Sequence, residues 1–252
     1  MIKITGLSKK YNDKYVVNNA DALFPVGEVT SFIGPNGAGK STLLSMASRL
    51  TDSDAGQVLI AEKPLSQWDT QALAKRLAVL RQSNNINMRF TVRELVAFGR
   101  FPHSNGRLTP SDEEIIDRAL KQLDIIDIQD RFLDQLSGGQ RQMAFIAMVV
   151  AQDTDYIFLD EPLNNLDIKH SVAIMKSLQK LAHESGKAVV IVIHDINFAS
   201  VYSDNIIAMK LGEVIVQGKT EQVIDAETLS GIYEIDFTIS EANGQKICLY
   251  YS

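Results

Sequence analysis

Nine consecutive residues, Gly34-Pro35-Asn36-Gly37-Ala38-Gly39-Lys40-Ser41-Thr42, combine what a chain of phosphates needs from a protein. The glycines let the backbone turn tightly and aim its N–H groups inward, with Asn36, Gly37, Ala38, Gly39 and Thr42 as parts of one cradle. Lys40 brings a charge that can reach the β- and γ-phosphates of ATP, and Ser41 brings a hydroxyl for Mg2+. This is the P-loop (Walker A) pattern. Asp160-Glu161 then closes a continuously apolar run at 156–159. In that Walker B arrangement Asp160 is expected to hold Mg2+ through its water shell, and Glu161 to polarise the attacking water as a general base. A third group, Leu136-Ser137-Gly138-Gly139-Gln140, sets two glycines at the start of a helix, a second place where N–H groups and the helix dipole favour an anion. One ATP does not need two such sites from one subunit, so Ser137, Gly138, Gly139 and Gln140 are expected to meet the ATP of a partner.

The elements that must position these groups are legible from periodicity. Val29–Ile33 is apolar and β-prone and runs into the glycine-rich turn. Residues 40–50 follow with Leu43, Leu44, Ala47 and Leu50 on one side, which makes a strand–loop–helix unit. The runs 156–159 and 188–193 are continuously apolar, as parallel strands covered on both faces are. Between them 167–185 has helical spacing, with Gly186 as its stop. The expected fold is α/β, a P-loop NTPase with a parallel-sheet core. Thr91-Val92-Arg93-Glu94 and Ser111-Asp112-Glu113-Glu114 both fit the capping box, and Ser137 precedes a third helix at 140–151. We therefore expect a single domain over 1–252, with a catalytic core at 1–83 and 151–220 and a helical subdomain inserted at 84–150. Short alternating strands at 2–17 and 205–217 indicate an N-terminal antiparallel β region, and 221–252 is a C-terminal extension without a readable pattern.

The 252 residues are 45% hydrophobic and 22% charged, ordinary for a soluble globular chain able to bury its own core. A net charge of −6 argues against nucleic acid as a partner, since phosphate contacts leave a basic footprint. Cys248 stands alone, so no intrachain disulfide is possible and a reducing compartment fits. The start, Met1-Ile2-Lys3-Ile4-Thr5-Gly6, lacks the apolar stretch of a secretory signal. The longest apolar runs fall well short of the ~20 residues that span a bilayer, so any membrane role is expected to be peripheral.

With the three motifs in this order, the chain resembles the nucleotide-binding subunits of ABC transporters, whose signature is the pentapeptide at 136–140. The likeness runs over residues 2–218 and implies the ABC cassette fold, ATP hydrolysis, and two subunits paired head to tail as a homodimer or pseudo-dimer. It also implies roles for single residues. Tyr11, with Tyr15 as its rival, matches the aromatic residue that stacks on adenine. Gln82, just after Leu77–Leu80, matches the Q-loop glutamine that contacts Mg2+ and the attacking water. His194 matches the switch histidine at the γ-phosphate. Asn164-Asn165-Leu166-Asp167 matches the D-loop; Asp167 is kept, whereas Asn164 and Asn165 depart from the commoner Ser-Ala.

Long heptad coiled coils, as in DNA-repair relatives, are absent, and there is one P-loop where translation-type relatives carry two cassettes; a transporter ATPase is the expected reading over a soluble non-transport ABC ATPase. Within the family, Ala97-Phe98-Gly99-Arg100-Phe101-Pro102-His103 and the stretch from Glu161 to Asp167 look like the iron–siderophore import branch, with haem, cobalamin and other metal chelates as alternatives. That resemblance implies separate integral membrane permease subunits, an indirect link to a substrate-binding protein, and a peripheral place on the cytoplasmic face of the cell membrane. The surplus apolar residues Ile86, Met88, Phe90, Phe98 and Phe101 are expected either to accept a short helix of the permease or to form a small core of their own; Arg100 and His103 either share in that branch pattern or lie in a solvated loop.

Overall fold

The continuously apolar runs form the middle of a six-stranded sheet. The computed structural model describes residues 1–82, 89–164 and 166–251. Its strands β1 (Ile2–Tyr11), β2 (Lys14–Phe24), β4 (Ala55–Ile60) and β5 (Lys63–Pro64) make an antiparallel sheet in the order β2-β1-β4-β5. The larger sheet joins β3 (Val29–Ile33), β6 (Leu77–Leu80), β7 (Tyr156–Asp160), β8 (Ala188–Val192), β9 (Asn205–Lys210) and β10 (Glu213–Lys219) in the order β10-β9-β3-β8-β7-β6. All its pairs are parallel except β9 with β10. Every residue of β3, β7 and β8 is buried, which is why these segments read as unbroken apolar runs instead of alternating ones. Phe24 of the antiparallel sheet packs edge-on against Phe32 and Phe158, at 5.8 and 5.6 Å between ring centres, and so locks the two sheets together.

The register brings several strand ends to one edge. Leu80 pairs with Leu159, Asp160 with Val192, and Phe32 with Val192, so β3, β6, β7 and β8 all release their following loops on the same side. That is where ligands bind in parallel α/β sheets. Helix α1 (Lys40–Ala47) leaves this edge, followed by α2 (Thr70–Ala74). The first helix is shorter than the expected 40–50, because Arg49 takes a left-handed φ of 61° and Leu50 turns half out to solvent.

Between β6 and β7 lie α3 (Val92–Phe98), α4 (Phe101–Ser104), α5 (Pro110–Gln122) and α6 (Gly138–Ala151). Thr91 with Glu94 forms the anticipated capping box, and Ser137, expected only to precede its helix, forms a further one with Gln140. The other expected box, at Ser111, is displaced by two residues: Thr109, not Ser111, caps α5, exchanging bonds with Asp112. Pro110 is the cause. Its fixed φ suits the first helical position, which makes the residue before it the cap. The subdomain boundary expected at 83–84 lies outside the described residues.

Arg100 and His103 are not a solvated loop. Arg100 is buried; its Nε donates to Asp112 Oδ1 at 2.8 Å and its Nη1 to Ala151 O at 3.0 Å. His103 Nε2 lies 3.0 Å from Gln152 O. The pair thus bolts α4 and α5 to the end of α6. Bonds from Thr109, then from Arg100, hold the Asp112 carboxyl at about 2. A carboxyl lowered in the fold adds stability that is complete above its ordinary 3.8 and vanishes as pH falls toward about 2. We expect Arg100→Met to cost about 3–5 kcal/mol at neutral pH, because it orphans a buried carboxylate. We also expect Asp112→Asn to flatten the acid limb of a stability–pH curve; denaturant unfolding at stepped pH checks both.

After β7 come α7 (Ile168–His183), capped by Asp167, and α8 (Ile196–Tyr202), capped by Asp195. The unread tail contains α9 (Thr220–Val223), α10 (Ala226–Tyr233) and the hairpin β11 (Thr238–Ala242) and β12 (Gln245–Leu249), which packs on α8. No helix of the described residues is long and apolar enough to cross a membrane.

Candidate ATP site

The chain leaves β3 through a loop pressed hard against its neighbours. A Cβ on Gly34 would fall 2.1 Å from Met209 O, and one on Gly39, whose φ is 99°, would fall 2.5 Å from Val16 O. Only glycine fits at either place. The pressed loop opens into space at Gly37, where a Cβ would meet nothing within 4 Å. Lys40 opens α1 and is buried; its Nζ donates to the carbonyls of Gly34 at 2.7 Å and Pro35 at 2.9 Å. Burial pulls the Lys40 ammonium below its ordinary pKa, against the pull of Glu161 and Asp160. Ser41 Oγ donates to Asp160 Oδ1 at 2.7 Å. Burial raises the Asp160 carboxyl, and that hydroxyl works against it.

Glu161 is the hub. It follows β7 with a φ of 52°, a left-handed conformation that side chains other than glycine adopt at a cost of about 1–2 kcal/mol. Its Oε2 accepts from the side-chain amides of Gln82 and Asn164, and Oε1 lies 2.6 Å from His194 Nε2. Four strand exits therefore converge: Lys40 after β3, Gln82 after β6, Glu161 after β7 and His194 after β8. A small cleft of about 150 Å³ joins the residues 36–42 to Glu161 and His194. A second, of about 250 Å³, is lined by Tyr11, Ser41, Thr42, Arg81, Gln82 and Asp160. Tyr11 shares it, whereas Tyr15 does not and instead lies under Lys10, 4.3 Å from the ring centre.

The other expected residues are held elsewhere. Ser137 caps α6, accepting from Gln140 N, while its own N–H donates to Gln140 Oε1. Gly138, Gly139 and Gln140 belong to the first turn of that helix and line neither cleft. Asp167 caps α7, accepting from His170 N at 2.8 Å, and also lines neither. Asn165 lies outside the described residues. Asn164, which departs from the family's commoner Ser, bonds within its own chain to Glu161. Its spacing of three from Glu161 across a tight turn was the available signal.

The donor set suits the groups such a loop would take. Ser41 and Asp160 offer hard oxygens, and among the described residues no three His, Cys, Asp or Glu side chains gather into a closed metal cage. One or two protein oxygens completed by phosphates and water is how Mg2+ is commonly held. A glycine-rich loop, a buried lysine at its base and a carboxylate hub on a parallel sheet define a P-loop ATPase.

Comparison with known proteins agrees. Residues 17–164 match the family described as ABC transporter. The chain is 53% identical to the petrobactin import ATP-binding protein YclP of Bacillus subtilis (strain 168), over the whole of both chains. It is 48% identical to the petrobactin import protein FatE of Bacillus anthracis, over 99% of this chain and 100% of that one. It is 39% identical to the iron(3+)-hydroxamate import protein FhuC of Bacillus subtilis (strain 168), over 96% and 91%. Among solved structures, the dimeric structure of a bacterial ABC transporter cassette superposes with a TM-score of 0.78 at 32% identity, covering 87% of this chain and 99% of that one. A post-hydrolysis dimer of the same cassette, bound to ADP and phosphate, gives 0.78 at 31% over the same shares. The chain belongs to the ABC transporter family, as one of its ATP-hydrolysing subunits.

Proposed function

We propose that this subunit powers import of iron–siderophore complexes, working in a pair of ATPase subunits beneath separate membrane permeases on the cytoplasmic face of the cell membrane. A substrate-binding protein delivers the chelate to those permeases. The observation that carries the reading is the convergence of Lys40, Gln82, Glu161 and His194 on one sheet edge, in a chain alike from end to end to petrobactin import ATPases. Haem, cobalamin or another metal chelate is the alternative cargo.

In this reading residues 36–42 cradle the phosphates of ATP, and Tyr11 stacks on its adenine. Ser41, Gln82 and Asp160 would hold Mg2+, which when bound neutralises charge between the β- and γ-phosphates. Lys40 exchanges two backbone carbonyls for phosphate oxygens. Glu161 gives up its bonds from Gln82 and Asn164 and accepts a proton from the water that attacks the γ-phosphate, while His194 contacts that phosphate. ATP and water become ADP and inorganic phosphate. Ser137, Gly138, Gly139, Gln140 and Asp167 act on the partner's ATP, and their place outside both clefts supports this. Closing the pair excludes water and completes the shell of charge around the reacting phosphate.

Coupling to the permease runs through the α3–α4 corner. Phe98 and Phe101 are each 54% exposed and stack at 6.2 Å between ring centres, while Phe90 lies against Phe98 at 5.5 Å and packs on the core below. Ile86 and Met88 lie outside the described residues. Two stacked rings held out to solvent above a buried Arg100–Asp112 bolt fit an apolar face of a short permease helix. In a strain deleted for the subunit, ferric-siderophore uptake should fail. A subunit carrying Phe98→Asp and Phe101→Asp should not restore uptake, although its isolated ATPase rate stays within about twofold. Unchanged uptake in the deleted strain would refute the cargo. Full restoration by the double variant would refute the docking corner and leave the ATPase reading standing.

A further inference from the structure

The C-terminal tail reaches the phosphate loop. Helix α10 ends at Tyr233, whose hydroxyl accepts the N–H of Gly34 at 2.8 Å across 199 residues of sequence. Gly34 stands one residue past the last ladder pair of β3, Ile33 with Ala208, so its N–H has left the sheet. Its carbonyl accepts from Lys40 Nζ at 2.7 Å. One residue is thus gripped from both sides, by the tail and by the lysine.

Tyr233 is itself anchored. Lys210, the last residue of β9, donates to Gly231 O and pairs with Glu234 Oε1, both at 2.7 Å. Lys210 follows Met209, against whose carbonyl Gly34 is pressed. The Tyr233 ring lies 5.8 Å from that of Phe237, which lies 5.4 Å from Tyr250. The same tail also braces the element after His194: Asn197 of α8 trades hydrogen bonds with the Cys248 backbone at 3.2 and 2.7 Å, and Ser200 Oγ donates to Lys246 O at 2.7 Å.

We propose that Tyr233 is a positioning residue for the phosphate loop, its hydroxyl fixing the Gly34 peptide while Lys40 leaves the Gly34 and Pro35 carbonyls for the nucleotide. This rests on reading residues 34–42 as the ATP cradle. Once Lys40 turns away, the Gly34 carbonyl loses that anchor, and the Tyr233 bond is what remains on this residue's N–H. A loop so fixed loses less freedom when its N–H groups converge on phosphate. Burial pushes the Tyr233 hydroxyl up to about 12, so it stays neutral and offers its lone pair without adding negative charge near the phosphates.

The test uses the full chain carrying Tyr233→Phe, which deletes one oxygen and keeps the ring against Phe237. Equilibrium binding of a fluorescent ATP analogue should weaken about five- to tenfold, the loss of one hydrogen bond. The kcat should stay within about twofold, because the bond serves ground and transition states alike. Phe237→Leu loosens the same packing and keeps the hydroxyl; it should lower Tm and weaken nucleotide binding clearly less than Tyr233→Phe does. Wild-type affinity in Tyr233→Phe would overturn the proposal, as would equal weakening in the two variants in step with their loss of Tm. Lys40→Ala, measured alongside, separates the levels. If it binds and hydrolyses ATP normally, the cradle reading fails; if it is inactive while Tyr233→Phe is normal, only the positioning role fails.

Discussion

Lys40→Ala is expected to cut ATP turnover by about 10²–10³, the usual cost of deleting one preorganised charge at a reacting phosphate. The structure shows how that charge is held at the loop. The ammonium sits at the base of the loop, fixed by two backbone carbonyls at 2.7 and 2.9 Å, and on the proposed reading it would reach phosphate by turning about its own stem. Gly34 is itself pressed on β9 and Gly39 on β2, so both ends of the loop are held and it resists collapse into the space left behind. Stability should change little, since removing a partly desolvated charge offsets the lost hydrogen bonds. A steady-state ATPase assay beside a thermal melt separates the two effects. A variant keeping more than half the wild-type rate would refute the P-loop assignment.

Much of this site was legible because its residues are close in sequence to the strand ends that present them. β3 and β6 have the limits the apolar runs suggest. β7 runs one residue further, to Asp160, so the first carboxylate is fixed by the sheet itself and the second by the turn after it. The readings that failed did so for local reasons with no compositional mark. Proline moved the cap of α5 to Thr109, and a left-handed Arg49 ended α1 early. Arg100 looked like a loop cation because its carboxylate partner, twelve residues on, shows itself only when α5 folds back. The tail was unreadable because its order comes from distant partners: Asn197 for Cys248, Gly34 for Tyr233. Asn164 shows the opposite case, a departure from the family's usual Ser-Ala that gains a clear partner in Glu161 once the turn is built.

Glu161→Gln should keep ATP binding while hydrolysis falls by about 10²–10⁴, the range a positioned general base contributes. The substitution preserves shape, and the amide can still turn its oxygen to the Gln82 and Asn164 donors and its nitrogen to His194. What it cannot do is accept a proton from water. ATP then stays intact, and because bound ATP favours the closed pair, the variant should accumulate in that state. Size-exclusion chromatography with ATP and Mg2+ should show a dimer that disappears when ATP is withheld. Adding Ser137→Arg to the same chain should abolish the dimer, since a bulky cation would fill the space that the proposed pairing gives to the partner's phosphate at the first turn of α6. A monomer hydrolysing at the normal rate would remove Glu161 from the chemistry. A dimer that forms equally well with Ser137→Arg would mean that the pair closes on some surface other than the α6 N-terminus, leaving the base assignment intact.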